Sequence, residues 1–118
     1  GDVVLDPERM ALLSELVKDG VSFFDRTRTS FLSGVDLTLA EIRTAVSDAD
    51  AEATSAAAHQ LKGSALNLGL VQVGTAAAAV ETYAGTGSTD GIAPLISALA
   101  STIAVGVEAL KAAGPAPE

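Results

Sequence analysis

The chain has 118 residues, with Lys+Arg 7 against Asp+Glu 15 and a net charge of −8, so it reads as one acidic domain without the basic stripe that nucleic acid or anionic lipid requires. It has no cysteine, no tryptophan, 3% aromatic residues and one histidine, which excludes disulfides, thiolate chemistry and a histidine-cluster metal site within one chain and argues against a stacking platform. Apolar residues make up 48%, many of them alanine, a composition that suits closely packed helices rather than a disordered chain.

Helical spacing runs through almost every segment. Asp6-Pro7-Glu8 reads as an N-cap, a proline in the first turn and an acid at the positive helix end. Met10, Leu13, Leu16 and Val17 follow at helical steps, and Gly20 is a stop signal. A second helix is expected from Val21 to about Ser47, with Phe24, Phe31, Leu32, Val35, Leu39, Ile42 and Val46 as its apolar residues. Ser33-Gly34 is expected to kink or interrupt it, because glycine costs about 1 kcal/mol against alanine inside a helix.

Asp48-Ala49-Asp50 is a short break, with Asp50 placed to cap a third helix that runs to about Leu68 and stops at Gly69. A fourth starts near Val71 and presents Val73, Ala76, Ala77, Val80 and Ala84. The stretch Gly85-Thr86-Gly87-Ser88-Thr89-Asp90-Gly91 is the clearest loop. A fifth helix carries Ile92, Leu95, Ile96, Leu99, Ile103, Gly106 and Leu110 on one side. Gly114 to Glu118 reads as a flexible tail.

No strand-type alternation persists and no repeat is evident. The pattern predicts an all-α fold: an up-down antiparallel four-helix bundle with a short additional N-terminal helix. One domain over 1–118 is expected, with its core at about 3–113 and a tail at 114–118. The uncharged runs Ser64–Val80 and Ile92–Val107 fall short of the roughly 20 apolar residues of a membrane span. Gly1 to Leu5 has neither a basic region nor an apolar one, so no signal peptide is expected and the default compartment is the cytoplasm.

Chemistry is concentrated in the third helix. Stepping about 100° per residue puts Ala57, Ala58, Leu61, Ala65 and Leu68 on a core stripe, with His59 away from it. Ser55, Ala56, Gly63, Leu66 and Leu70 fall within about 60° of His59 by the same rotation, and Lys62 borders that face. Taken singly, each residue has a bland explanation. A lone histidine or lysine on a helix is usually solvated, and a leucine beside it can be packing. Glycine inside a helix asks for a reason, either close helix packing or the approach of a partner.

The joint spacing resembles the signature of histidine-containing phosphotransfer (HPt) domains, His-x-x-Lys-Gly with a further Gly six residues on, which reads here as His59, Lys62, Gly63 and Gly69. Asp50 at the start of the histidine helix, Leu5-Asp6-Pro7-Glu8 and Phe31-Leu32 are similar to family features as well. The resemblance covers about residues 3–113. It implies a phosphorelay carrier that accepts a phosphoryl group on His59 from a receiver-domain aspartate and passes it to another receiver. Such a carrier has no nucleotide site and is not an enzyme. It binds no cofactor itself, and Mg²⁺ is expected on the partner receiver. Lys62 would neutralise phosphoryl charge, and Gly63 would leave room for the receiver's loops.

Glu81, on the side of the fourth helix shared by Gly74 and Ala78, is the candidate acceptor for the His59 Nδ1–H. The phosphotransfer domains of chemotaxis kinases have a glutamate at a similar distance after the histidine. Ala56, Leu66 and Leu70 are the candidate docking face. The expected partners are response-regulator receiver domains, a hybrid histidine kinase or both, and the chain is expected to be a monomer that engages neither nucleic acid nor membrane. Alternatives are a helical docking module that carries no phosphoryl group, an autonomous hydrolase, and a phosphotransfer domain excised from a larger histidine kinase. The hydrolase has no nucleophile elbow or phosphate loop behind it.

Overall fold

A computed structural model describes residues 17–18 and 21–113. Its elements are a two-residue antiparallel pair, β1 (Val17–Lys18) and β2 (Val21–Ser22), followed by four helices: α1 (Phe23–Ser47), α2 (Ala51–Asn67), α3 (Val71–Ala84) and α4 (Ala93–Ala113). Apart from that pair, in which Val17 faces Ser22 and Lys18 faces Val21, the described fold is all-helical. The expected N-terminal helix falls mainly on residues 1–16, outside the described ones. Val17, placed at its end from the sequence, lies instead in extended backbone, where β-branched valines are at ease.

Helix α1 runs through Ser33-Gly34 without the expected interruption. A Cβ added at Gly34 would meet nothing within 4 Å, so the glycine marks no close approach. Phe31, Val35 and Ile42 on the same helix are all buried. Burial of that stripe outweighs the roughly 1 kcal/mol a single glycine costs.

Asp50 caps α2 as its sequence suggests: its carboxylate accepts from the Ala53 backbone N–H at 3.0 Å. The buried Thr54 hydroxyl donates to the Asp50 carbonyl at 2.8 Å, so the one buried polar side chain among the described residues is satisfied. At the other end of α2, Gly69 takes φ 74 and the Leu70 N–H reaches the Ala65 carbonyl at 2.9 Å. This left-handed residue stops the helix and turns the chain into α3. The connection from α3 to α4 uses positive φ at Gly87 and Gly91, and the Tyr83 hydroxyl ties it down by donating to the Asp90 carbonyl.

α2 packs against both α1 and α3, α3 packs against α4, and α4 returns to α1, where Arg28 Nη1 donates to the Leu110 carbonyl at 3.3 Å. The shared core is built from Ile42, Leu61, Leu68, Leu70, Val73, Val80, Leu99 and Leu110, with Ala58, Ala65 and Ala77 fully enclosed between the helices. The run Ile92–Val107, too short for a membrane span when only uncharged residues are counted, continues as helix to Ala113. The 21 residues of α4 are by length and composition alone long and apolar enough to cross a membrane, with a hydropathy of 1.7. In the bundle its Ile96, Leu99, Ile103 and Leu110 stripe faces the core. α2 and α3 carry the site.

Candidate functional site

Three side chains from two helices meet at the surface. α2 supplies His59 and, one turn later, Lys62; α3 supplies Glu81. His59 Nδ1 lies 2.7 Å from Glu81 Oε2, and Lys62 Nζ lies 2.8 Å from Glu81 Oε1. One carboxylate therefore serves two donors through separate oxygens. The backbone of Glu81 is held too: Ser55 Oγ, one turn before His59, donates to its carbonyl at 3.2 Å.

The charges fix the protonation pattern. The Glu81 carboxyl is held below its ordinary 4.5, first by the hydrogen bond from Lys62, against a smaller opposing desolvation, with His59 helping. An ionised carboxylate only accepts, so Nδ1 must carry the proton. In the neutral imidazole this leaves Nε2 as the lone-pair nitrogen. The His59 side chain is 65% exposed, against 30% for Lys62 and 26% for Glu81. The arrangement is thus an accessible ring whose inner nitrogen is tethered to a half-sheltered anion. Beside it opens a cleft of about 610 Å³, lined by Ser55, Ala56, His59 and Glu81 and by Gly85 and Gly87 of the following loop.

The other sequence candidates separate. Gly63 is exposed, and a Cβ there would meet nothing within 4 Å, so packing inside the chain does not account for it. Ala56 is exposed at the cleft. Leu66 is 46% exposed and rests on Gly74 of α3. Leu70 has to be removed from the docking face: it is fully buried, with its side chain toward Gly106 of α4. The helical rotation that put it beside His59 stops applying at Asn67, where α2 ends and Gly69 reverses the backbone.

Two neighbours of the site are placed on its faces from the sequence but given no role there. Ser55 lies one turn before His59 on its face, and that position was its signal. Gly74 lies two turns before Glu81 on the same side of α3, and glycine within an alanine-rich helix was its signal. Among the described residues no group of three or more acidic or histidine side chains is placed to hold a metal ion.

A family model described as "Hpt domain" matches residues 26–113, which span α1 from its second turn to the end of α4. Comparison with curated proteins and with solved structures finds no match.

Proposed function

The chain belongs to the Hpt domain family, and on that premise we propose that His59 is its phosphoacceptor. The family performs histidine phosphotransfer in phosphorelays with receiver domains, as phosphocarriers rather than enzymes. The observation that carries the assignment to His59 is its Nδ1 hydrogen bond to Glu81 on an otherwise exposed ring.

The reaction follows from that tether. Nε2 presents its lone pair to the phosphorus of a receiver's aspartyl phosphate. The Nε2–P bond forms, the P–O bond to the aspartate breaks, and the carboxylate leaves with its electron pair. The ring becomes more positive as it attacks, and Glu81, bound to Nδ1–H, stabilises that charge. Lys62 has two tasks. It keeps Glu81 ionised, and it supplies a cation one turn from His59 that can exchange Glu81 for a phosphoryl oxygen. Transfer to a second receiver is the reverse step on another aspartate. The Mg²⁺ that assists both steps belongs to the receiver, and no nucleotide site is assigned to this chain.

Gly63, Ala56 and the exposed side of Leu66 form the approach surface in this reading. An up-down order of the four helices is part of it as well, supported by the short connections at 48–50 and 68–70. The test is incubation with Mg²⁺ and receiver domains phosphorylated by acetyl phosphate. An acid-labile, base-tolerant phosphate is expected on the wild type. None is expected on His59→Gln, which should keep the helicity of the parent. Label that persists in that variant would overturn the assignment.

A further inference from the structure

Gly74 is a glycine beside the site whose missing side chain is filled by a side chain of the neighbouring helix. A Cβ built on it would stand 2.5 Å from Leu66 Cδ2 and 2.9 Å from Leu66 Cγ. Gly74 itself is buried, while the leucine that covers it is 46% exposed. Leu66 therefore lies flat across α3 and shows only one side to solvent. Leu66 is also two turns from His59 on α2, about 10 Å along the axis.

We propose that Gly74 is a positioning residue for receiver docking: it is the socket that holds Leu66 flat, and so sets how closely a receiver can approach His59. This rests on the phosphotransfer reading above and adds to it a residue that touches neither the phosphoryl group nor the partner.

The alternative response to a side chain at position 74 would be separation of α2 from α3. Separation is opposed along the whole length of the helix pair. It would break both bonds to the Glu81 carboxylate and the Ser55 bond to its carbonyl, and it would open the packing of the fully buried Ala58, Ala65 and Ala77. Rotation of Leu66 breaks none of these. Because Cγ itself is too close, χ1 must change, and a helix leaves leucine only one other common χ1 well. The leucine then stands up from the surface. A raised side chain two turns from the histidine props the partner away, and in-line attack needs the reacting atoms about 3–3.5 Å apart.

The test is a two-by-two set: wild type, Gly74→Ala, Leu66→Ala and the double variant. Each is phosphorylated by two donors, a phosphorylated receiver domain with Mg²⁺ and the small molecule phosphoramidate, which needs no docking. Gly74→Ala is expected to lower the receiver-dependent rate about tenfold, within the range a small misplacement costs. It should leave the phosphoramidate rate and the His59 ring ¹⁵N shifts unchanged. In the Leu66→Ala background the same substitution should have no further effect, since a socket without its occupant has no function. Equal losses in both backgrounds, equal losses with both donors, or no loss at all would overturn the socket. Should Gly74→Ala fail to fold, the double variant decides: a folded double variant supports the socket and an unfolded one overturns it. Failure of phosphoramidate to label His59 in the wild type is a separate result, which removes the phosphotransfer reading and this inference with it.

Discussion

Lys62 is paired with Glu81, its ammonium 2.8 Å from Oε1, while the other oxygen of that carboxylate holds His59. In the function proposed above, the lysine would act on the histidine twice, through the charge it offers a phosphoryl group and through the anion it keeps in place.

Lys62→Ala should accordingly show two separable effects. Transfer at saturating receiver is expected to slow by one to two orders of magnitude, the scale of deleting one electrostatic interaction (about 10²-fold). The Glu81 carboxyl, released from the hydrogen bond that lowers it most, should titrate nearer its ordinary 4.5. Rapid-quench kinetics and the ¹³C shift of the Glu81 carboxyl measure the two. If the rate is unchanged, Lys62 is a solvated charge with no part in transfer.

The same pairing sets a pH dependence. A carboxyl lowered in the folded state contributes stability above its unfolded pKa and loses it as pH falls through the folded one. For Glu81 the contribution is fully present above 4.5 and fades only below it. The Glu81 carboxyl should thus be less than half-protonated in the wild type at pH 4.5, read from its ¹³C shift. A carboxyl half-protonated at that pH would show that Lys62 does not hold it in solution.

Glu81→Gln and Glu81→Ala separate the acceptor from the charge. The amide oxygen can still accept from Nδ1–H, so Gln should preserve the tautomer while slowing attack, because no anion meets the charge developing on the ring. Ala should lose both, moving the proton toward Nε2 and removing the nucleophile. Nitrogen-detected NMR of His59 in the three proteins reads the tautomer directly. An identical ratio in wild type and Glu81→Ala would take Glu81 out of the mechanism.

Gly63→Gln is expected to improve the fold and impair the function. Glutamine is a better helix former than glycine by roughly 0.5–1 kcal/mol, and a Cβ at this exposed position meets nothing. Melting temperature should rise slightly and phosphoramidate labelling should hold. Receiver-dependent transfer should fall, because the space beside His59 is then occupied. A variant that melts higher and transfers at the parental rate would show that the open space serves no partner.

What the sequence discloses depends on how local the signal is. The Asp50 cap and the Gly69 stop are readable because each rests on spacing along one helix. The His59–Glu81 contact is readable because a family resemblance adds to the facing of two adjacent helices. The Lys62–Glu81 pair is not, since a lysine bordering the His59 face does not disclose which anion it meets. Leu70 is misread because rotation was carried past a left-handed glycine, where three residues suffice to invert a facing. The interruption expected at Ser33-Gly34 is absent because burial of a whole stripe outweighs one weak local propensity. Gly74 is visible as a letter but silent as a socket, since only the three-dimensional crossing of α2 and α3 brings Leu66 over it.

Leu66 and Leu70 make the sharpest contrast, because the same substitution should have opposite consequences four residues apart. Leu70 is fully buried among Val73 and the α4 helix. Leu70→Asp puts an unpaired carboxylate there, and desolvating it costs more than a small bundle can absorb, so the protein should lose its cooperative melt. Leu66 is 46% exposed, so a carboxylate in its place keeps its water. The loss is only the cover over Gly74, part of the roughly 1.5–3 kcal/mol of a fully buried leucine. Leu66→Asp should therefore fold with a modestly lower melting temperature. Its receiver affinity should fall by about 1–3 kcal/mol, the range for removing one apolar anchor at the centre of an interface. Calorimetry and a receiver titration on both variants check the pair. A Leu66→Asp protein that folds and binds as tightly as the parent would remove Leu66 from the docking surface, and a Leu70→Asp protein that melts normally would return Leu70 to it.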